Sequence, residues 1–184
     1  MGKVEVVAHD PRWRDEFGAE AKRVAAALGE NAVAVHHIGS TAIPNIYAKP
    51  VVDLLVEVRD VAEVDGRSPA MESLGYEVMG EYGIPGRRYF RKDDREGIRT
   101  HHVHAFAAGS AEVERHLAFR DYLLAHPSEA QSYSELKRRL AVEHPQSFDG
   151  YMDGKDAFIK DIDRRAARWR ASQAGRGPHT SRVN

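Results

Sequence analysis

Cysteine is absent from all 184 residues, which removes disulfides, thiol nucleophiles and thiolate zinc sites from consideration. No apolar run approaches the roughly 20 residues of a membrane span. The start, MGKVEVVAHD, lacks a signal-peptide core and has Val6 where a myristoylation signal wants Ser or Thr. An excess of one charge is missing too. Lys and Arg number 27 against 28 Asp and Glu, for a net charge of −1, so no global pull toward nucleic acid or an anionic membrane is expected. What is present, 42% apolar and 30% charged residues, suits a soluble globular protein with one ordinary core. A cytoplasmic protein without membrane or nucleic-acid partners is the expectation.

The order of patterns predicts an α+β fold: a mixed sheet with flanking helices, then a C-terminal helical layer. Asp10-Pro11 opens a helix whose Phe17, Ala21, Val24 and Leu28 share a face, and Gly29 ends it. Ala32 to Ile38 and Val51 to Val58 are expected strands, the second an interior one, with a short helix from Thr41 to Tyr47 interrupted by Pro44. Asp60 and Ser68 cap two short helical pieces. Tyr76 to Met79, Arg87 to Lys92 and Arg99 to Phe106 are three further strands. From Ser110 the pattern is helical. Val113, Leu117, Arg120 and Leu124 mark one helix, a capping box at Ser128 begins a second, and Phe158 to Trp169 mark the last. The expected division is a core over 1–108, a helical segment over 109–170 and a flexible tail over 171–184.

The richest stretch is His36-His37-Ile38-Gly39-Ser40-Thr41, followed by Lys49-Pro50-Val51-Val52-Asp53. An apolar run ends in Gly-Ser, and a second apolar run carries one acid. A glycine lets backbone N–H groups approach a phosphate, a hydroxyl adds a donor, and a nearby carboxylate can hold a cation that bridges phosphate oxygens. On the second strand Val52, Leu54, Val56 and Val58 form the core face, and Asp53, Leu55 and Glu57 the other. Glu57 lies four residues from Asp53, roughly 13 Å along a strand, too far to share one ion. The bland alternative is that Asp53 caps a turn or pairs with a base.

In Arg99-Thr100-His101-His102-Val103-His104, alternation places His102 and His104 on one face. Two such imidazoles can converge on a metal if the strand lies beside Asp53. They favour a transition metal over Mg²⁺, which prefers oxygen. Half-exposed strand histidines are the competing reading. Arg87, Tyr89 and Arg91 either line a cleft or belong to a basic edge strand, and Lys49 faces either the Gly-Ser turn or solvent. Arg115-His116, Arg120-Asp121, Tyr151 and Lys155 are placed to close one wall of a cleft or to form solvated helix faces.

Together these residues resemble the GrpB family, within the nucleotidyltransferase superfamily, from about Val4 to Trp169. The resemblance rests on Asp10-Pro11-x-Trp13, His37-Ile-Gly-Ser-Thr-Ala-Ile-Pro44, Lys49-Pro-Val-Val-Asp53, Arg87-Arg-Tyr-Phe-Arg91, Thr100-His-His-Val-His104, Arg115-His-x-x-Phe-Arg-Asp-Tyr-Leu123 and Lys155-x-x-Phe-Ile159. It implies a fold like that of DNA polymerase beta-type nucleotidyltransferases, with Gly39 and Ser40 at the phosphates and Asp53 as first metal ligand. The superfamily's second acid is replaced by Leu55, and the third has no counterpart. Related domains fused behind dephospho-coenzyme A kinase hint at nucleotide neighbours.

The leading expectation is a nucleotide-dependent transferase, adenylating or ligase-like, acting on a small molecule. A nucleoside triphosphate would be held by Gly39, Ser40, Thr41, Lys49, Arg87 and Arg91. Asp53 and His104 would be catalytic, and Asp53, His102 and His104 would hold a divalent metal, Mg²⁺ or a transition ion such as Zn²⁺ or Mn²⁺. The alternatives are a non-catalytic nucleotide- or phosphate-binding module and a histidine-metal hydrolase. Tyr122, Tyr133 and Phe148 suggest a homodimer.

Overall fold

The computed structural model describes residues 4–174. Helix α1 (Arg12–Leu28) begins where the Asp10 carboxylate accepts the Arg12 amide at 2.9 Å, and it stops at Gly29, whose φ of +64° suits only glycine well. Strand β1 (Ala32–Ile38) leads into a single 3₁₀ turn at Ser40–Ala42, and β2 (Val52–Val58) follows. The helix expected over residues 41–47 does not form. Pro44 supplies no amide donor and Asn45 takes φ +63°, so only that one turn survives. Two short helices, α2 (Val61–Asp65) and α3 (Ser68–Ser73), precede β3 (Tyr76–Val78), β4 (Arg88–Asp93) and β5 (Arg99–Ala107).

The five strands form one mixed sheet in the order β1-β2-β5-β4-β3. β2 and β5 are parallel and the other pairings antiparallel, so the interior strand β2 is flanked by β1 and β5. Val52, Leu54, Val56 and Val58 point to one face and pack with Val24 and Leu28 of α1, Met71 of α3 and Val103 of β5. Each such side chain contributes about 1.5–3 kcal/mol relative to exposure. On the opposite face Leu55 joins Ile38, Phe106, Val113 and Leu117.

The chain ends in α4 (Ala111–Ala125), α5 (Pro127–Glu143) and α6 (Phe148–Ala174). Val113 and Leu117 fix α4 against the sheet, while Tyr122, Leu123, Ala130, Tyr133, Ile162 and Ala166 bind the three helices to each other and to Ile43 and Ile46. Three sequence expectations need correction here. Leu124 is exposed and Leu123 is buried in its stead, because the apolar stripe drifts around α4. Helix α5 starts at Pro127, which the fixed φ of proline favours at a first turn, so Ser128 is not its cap. Helix α6 continues to Ala174, into the expected tail, whose remainder lies outside the described residues. Tyr122 and Tyr133, two of the aromatics that suggested a dimer surface, are buried within the chain. No helix among the described residues is long and apolar enough to cross a membrane.

Candidate active site

Parallel pairing sets Asp53 opposite His102 and Leu55 opposite His104, while β1 brings Ile38 opposite Asp53. The chain leaves β1 at Gly39, so the Gly-Ser turn starts beside the aspartate. Asp53 Oδ1 accepts from His102 Nδ1 at 3.0 Å and lies 3.6 Å from His104 Nε2. Burial alone would raise the Asp53 carboxyl, yet the hydrogen bond from His102 and the close approach of His104 outweigh it and hold it well below the usual carboxylate range. Ligand atoms of Asp53, His102 and His104 all lie within 4.8 Å of one another, and His104 Nδ1 is buried without a hydrogen-bond partner. One carboxylate and two imidazoles form a donor set suited to a transition ion such as Zn²⁺ or Mn²⁺ and a poor one for Mg²⁺.

Gly39 is dictated twice over. Its φ of +72° with ψ −175° is a conformation essentially confined to glycine, and a Cβ there would stand 2.5 Å from Asp53 Oδ2. The Gly-Ser turn therefore opens on the same cavity, of about 530 Å³, as the Asp–His–His cluster.

Three lysines surround that cavity. Lys137 of α5 is 1% exposed and donates to the Tyr47 carbonyl, Lys155 of α6 is 7% exposed, and Lys49 lies 4.3 Å from the Phe148 ring centroid. Burial, with Lys155 nearby, pushes the Lys137 ammonium down to about 7. Burial, with Lys49 nearby, takes Lys155 to about 8, and Lys49 is lowered as well. None of the three has a carboxylate partner among the described residues, and an anion in the cavity would offset the cost of burying such cations. Aromatic walls come from Tyr82, Tyr89, Tyr133, Phe148 and Tyr151.

The residues expected at the phosphates divide. Gly39, Ser40, Thr41, Lys49 and Arg87 line the cavity. Thr41 has its hydroxyl 2.9 Å from His37 Nε2, and burial lowers that imidazole to about 4. Arg87 is largely committed to the chain, donating to the carbonyls of Glu81 (3.1 Å) and Tyr82 (2.7 Å). Arg91 is not at the cavity. It pairs with Glu77, its direct neighbour on β3, because a carboxylate opposite on an edge strand captures it at short range. Glu57 is occupied by His36 at 2.8 Å, and Arg120 by Asp121 and the His37 carbonyl. The alternation of the sequence found both histidines. Lys137 was missed, since a single lysine in a polar helix carries no signal. The sequence leaves Lys155 and Tyr151 between a cleft wall and a solvated helix face; both line the cavity, and only the bundle's packing turns the two lysines inward.

A second, smaller cavity of about 210 Å³ shares Gly39, Asp53, His104 and Phe119 with the first and is completed by Ile38, Arg115, His116 and Ile159.

The family model described as GrpB protein matches residues 3–165. The UPF0157 protein YqkA of Bacillus subtilis is 46% identical over 168 residues, 91% of this chain and 48% of that relative, so the chain spans about half the length of that curated relative. The crystal structure of conserved protein GrpB from Enterococcus faecalis matches with a TM-score of 0.85 at 46% identity, covering 89% of this chain and 98% of that one. Terminal uridylyl transferase 4 from Trypanosoma brucei with bound dUTP matches with a TM-score of 0.53 at 9% identity, covering 91% of this chain and 56% of that one, a likeness of fold alone.

Proposed function

The chain belongs to the GrpB family and has a nucleotidyltransferase-like fold, and from that footing we propose that it is a nucleotide-dependent transferase acting on a small molecule. The carrying observation is the juxtaposition at one cavity of the Gly39-Ser40 turn, the Asp53 carboxylate and the buried lysines. Lys49, Lys137 and Lys155 balance a polyanion, and Gly39, whose missing Cβ makes room for the Asp53 carboxylate, keeps the turn and the acid side by side at the cavity. The aromatic walls offer a nucleoside a face to stack on.

Asp53, His102 and His104 would hold one divalent ion, which when bound supplies charge stabilisation to phosphate oxygens. In the transfer, an acceptor hydroxyl or amine attacks the α-phosphorus. The new bond to phosphorus forms as the Pα–O bond to the β-phosphate breaks, pyrophosphate leaves, and the acceptor's proton passes to solvent water. The lysines neutralise the departing charge, and Asp53 keeps its carboxylate ionised through the two imidazoles.

Leu55 supports a second reading, a non-catalytic module for phosphorylated ligands. It stands fully buried where the superfamily's second acid would be. A metal-dependent hydrolase is less well supported, because the cation-rich surroundings suit retention of a polyanion.

Calorimetric titration with the four ribonucleoside triphosphates in the presence of Mn²⁺, paired with an assay of pyrophosphate release on adding alcohols and amines, tests the reading. Transfer predicts triphosphate binding that Asp53→Ala weakens at least tenfold, together with pyrophosphate release that this variant abolishes. Binding without release in any mixture selects the module. No triphosphate binding by a folded protein removes both.

A further inference from the structure

The smaller cavity differs in character from the lysine-lined one. Its body is apolar, with Ile38 from β1, Phe119 from α4 and Ile159 from α6. The one permanent cation in its wall is already balanced. Arg115 donates to Glu112 at 2.9 Å through Nη2 and to Asp163 at 3.3 Å through Nη1. One guanidinium against two carboxylates leaves no excess positive charge, so an anionic ligand would meet net repulsion there.

Polar capacity is nevertheless left over at this end of the molecule. His104 lies in the wall of both cavities with its Nε2 3.6 Å from Asp53 Oδ1, and its Nδ1, like Asp163 Oδ1 behind Arg115, is buried without a partner among the described residues. His116 donates from Nδ1 to the Glu112 carbonyl at 2.8 Å, which fixes its ring in the wall. At about 210 Å³ the space falls below the roughly 300–1,000 Å³ of pockets for drug-sized ligands, so the occupant is a small molecule.

We propose that the cavity formed by Ile38, Arg115, His116, Phe119 and Ile159 is the acceptor pocket, and that it takes a small, uncharged molecule with an apolar body and a hydroxyl directed at the Asp53–His104 junction. This rests on the transferase reading for the word acceptor, while the pocket and its preference for a neutral ligand stand on geometry and charge alone. The arrangement separates the two substrates by charge: polyanion against the lysines, neutral alcohol against Ile38 and Ile159. Both reach the shared wall of Gly39, Asp53, His104 and Phe119.

The test uses the full chain with 4-fluorobenzyl alcohol, 4-fluorobenzoate and 4-fluorobenzylamine as probes of similar shape and different charge, observed by fluorine NMR. Wild type should bind the alcohol at least tenfold more tightly than the benzoate. Ile159→Trp, which fills the cavity, should lose the alcohol at least tenfold while triphosphate binding, measured by calorimetry, stays within twofold. If Ile159→Trp unfolds, Ile159→Phe carries the same comparison. Arg115→Gln leaves Glu112 and Asp163 uncompensated and should move preference toward the amine. Equal or tighter binding of the benzoate or of the amine by wild type, or alcohol binding unmoved in the cavity-filling variant, overturns the assignment. Alcohol binding with these signatures in a protein that ignores every triphosphate would keep the pocket and defeat the transferase reading.

Discussion

Asp53 and Gly39 are so close that a methyl group on residue 39 would stand 2.5 Å from the Asp53 Oδ2 atom. The contact couples the turn after β1 to the acid on β2, two elements held side by side by the antiparallel pairing of Ile38 with Asp53.

Gly39→Ala should therefore lower stability by about 1–3 kcal/mol from backbone strain alone, with a further loss from displacing Asp53. A urea-denaturation cycle with Asp53→Gly separates the two. The double variant should recover the clash and retain the strain, whereas strictly additive losses would show that the two residues do not interact.

Lys137 and Lys155, with ammonium groups lowered to about 7 and about 8, predict proton uptake on polyanion binding. A bound triphosphate favours the charged amines, so protons are taken up at pH 8. Titration in buffers of different ionisation enthalpy should reveal this, and affinity should fall as pH rises from 6 to 9. The stability sign follows from the same lowering. Between about 7 and the unfolded value of 10.5 the unfolded chain binds more protons, so these lysines make ligand-free stability rise with pH across that window. Lys137→Met should flatten that slope in denaturation measured from pH 6 to 10. An unchanged slope would mean that this amine keeps an ordinary affinity for protons.

Leu55→Asp would place an acid at the position where the resemblance to nucleotidyltransferases calls for a second one. Here Leu55 is buried among Ile38, Phe106, Val113 and Leu117, so the change should cost more than about 3 kcal/mol and create no Mg²⁺-dependent transfer. A stable variant with faster pyrophosphate release in Mg²⁺ would contradict this.

Two neighbouring arginines should behave differently. Arg91 is held by Glu77 on an exposed edge, and Arg91→Ala should change stability by at most about 1 kcal/mol and leave triphosphate affinity within twofold. Arg87 anchors the turn at Glu81 and Tyr82 in the cavity wall, and Arg87→Ala should weaken triphosphate binding by roughly tenfold, as expected for losing hydrogen bonds to a charged group. Calorimetry on the two variants side by side decides it.

What the sequence determined by itself was local and periodic. The alternation in β2 separated Val52, Leu54, Val56 and Val58 from Asp53, and that in β5 put His102 and His104 on one face. The Gly39-Ser40 turn was legible because only glycine takes such a backbone without strain. Tertiary structure decided everything that depends on which elements become neighbours. The parallel pairing of β2 with β5 brought two histidines to Asp53 across 49 and 51 positions of chain, and the edge pairing with β3 gave Arg91 to Glu77. Lys137 and Lys155 turned inward because α5 and α6 pack on α4 and on each other, which sets both lysines in the cavity wall, a placement that no residue spacing encodes. Short-range geometry is written in neighbouring residues. Convergence of distant side chains follows from packing free energy summed over the whole chain.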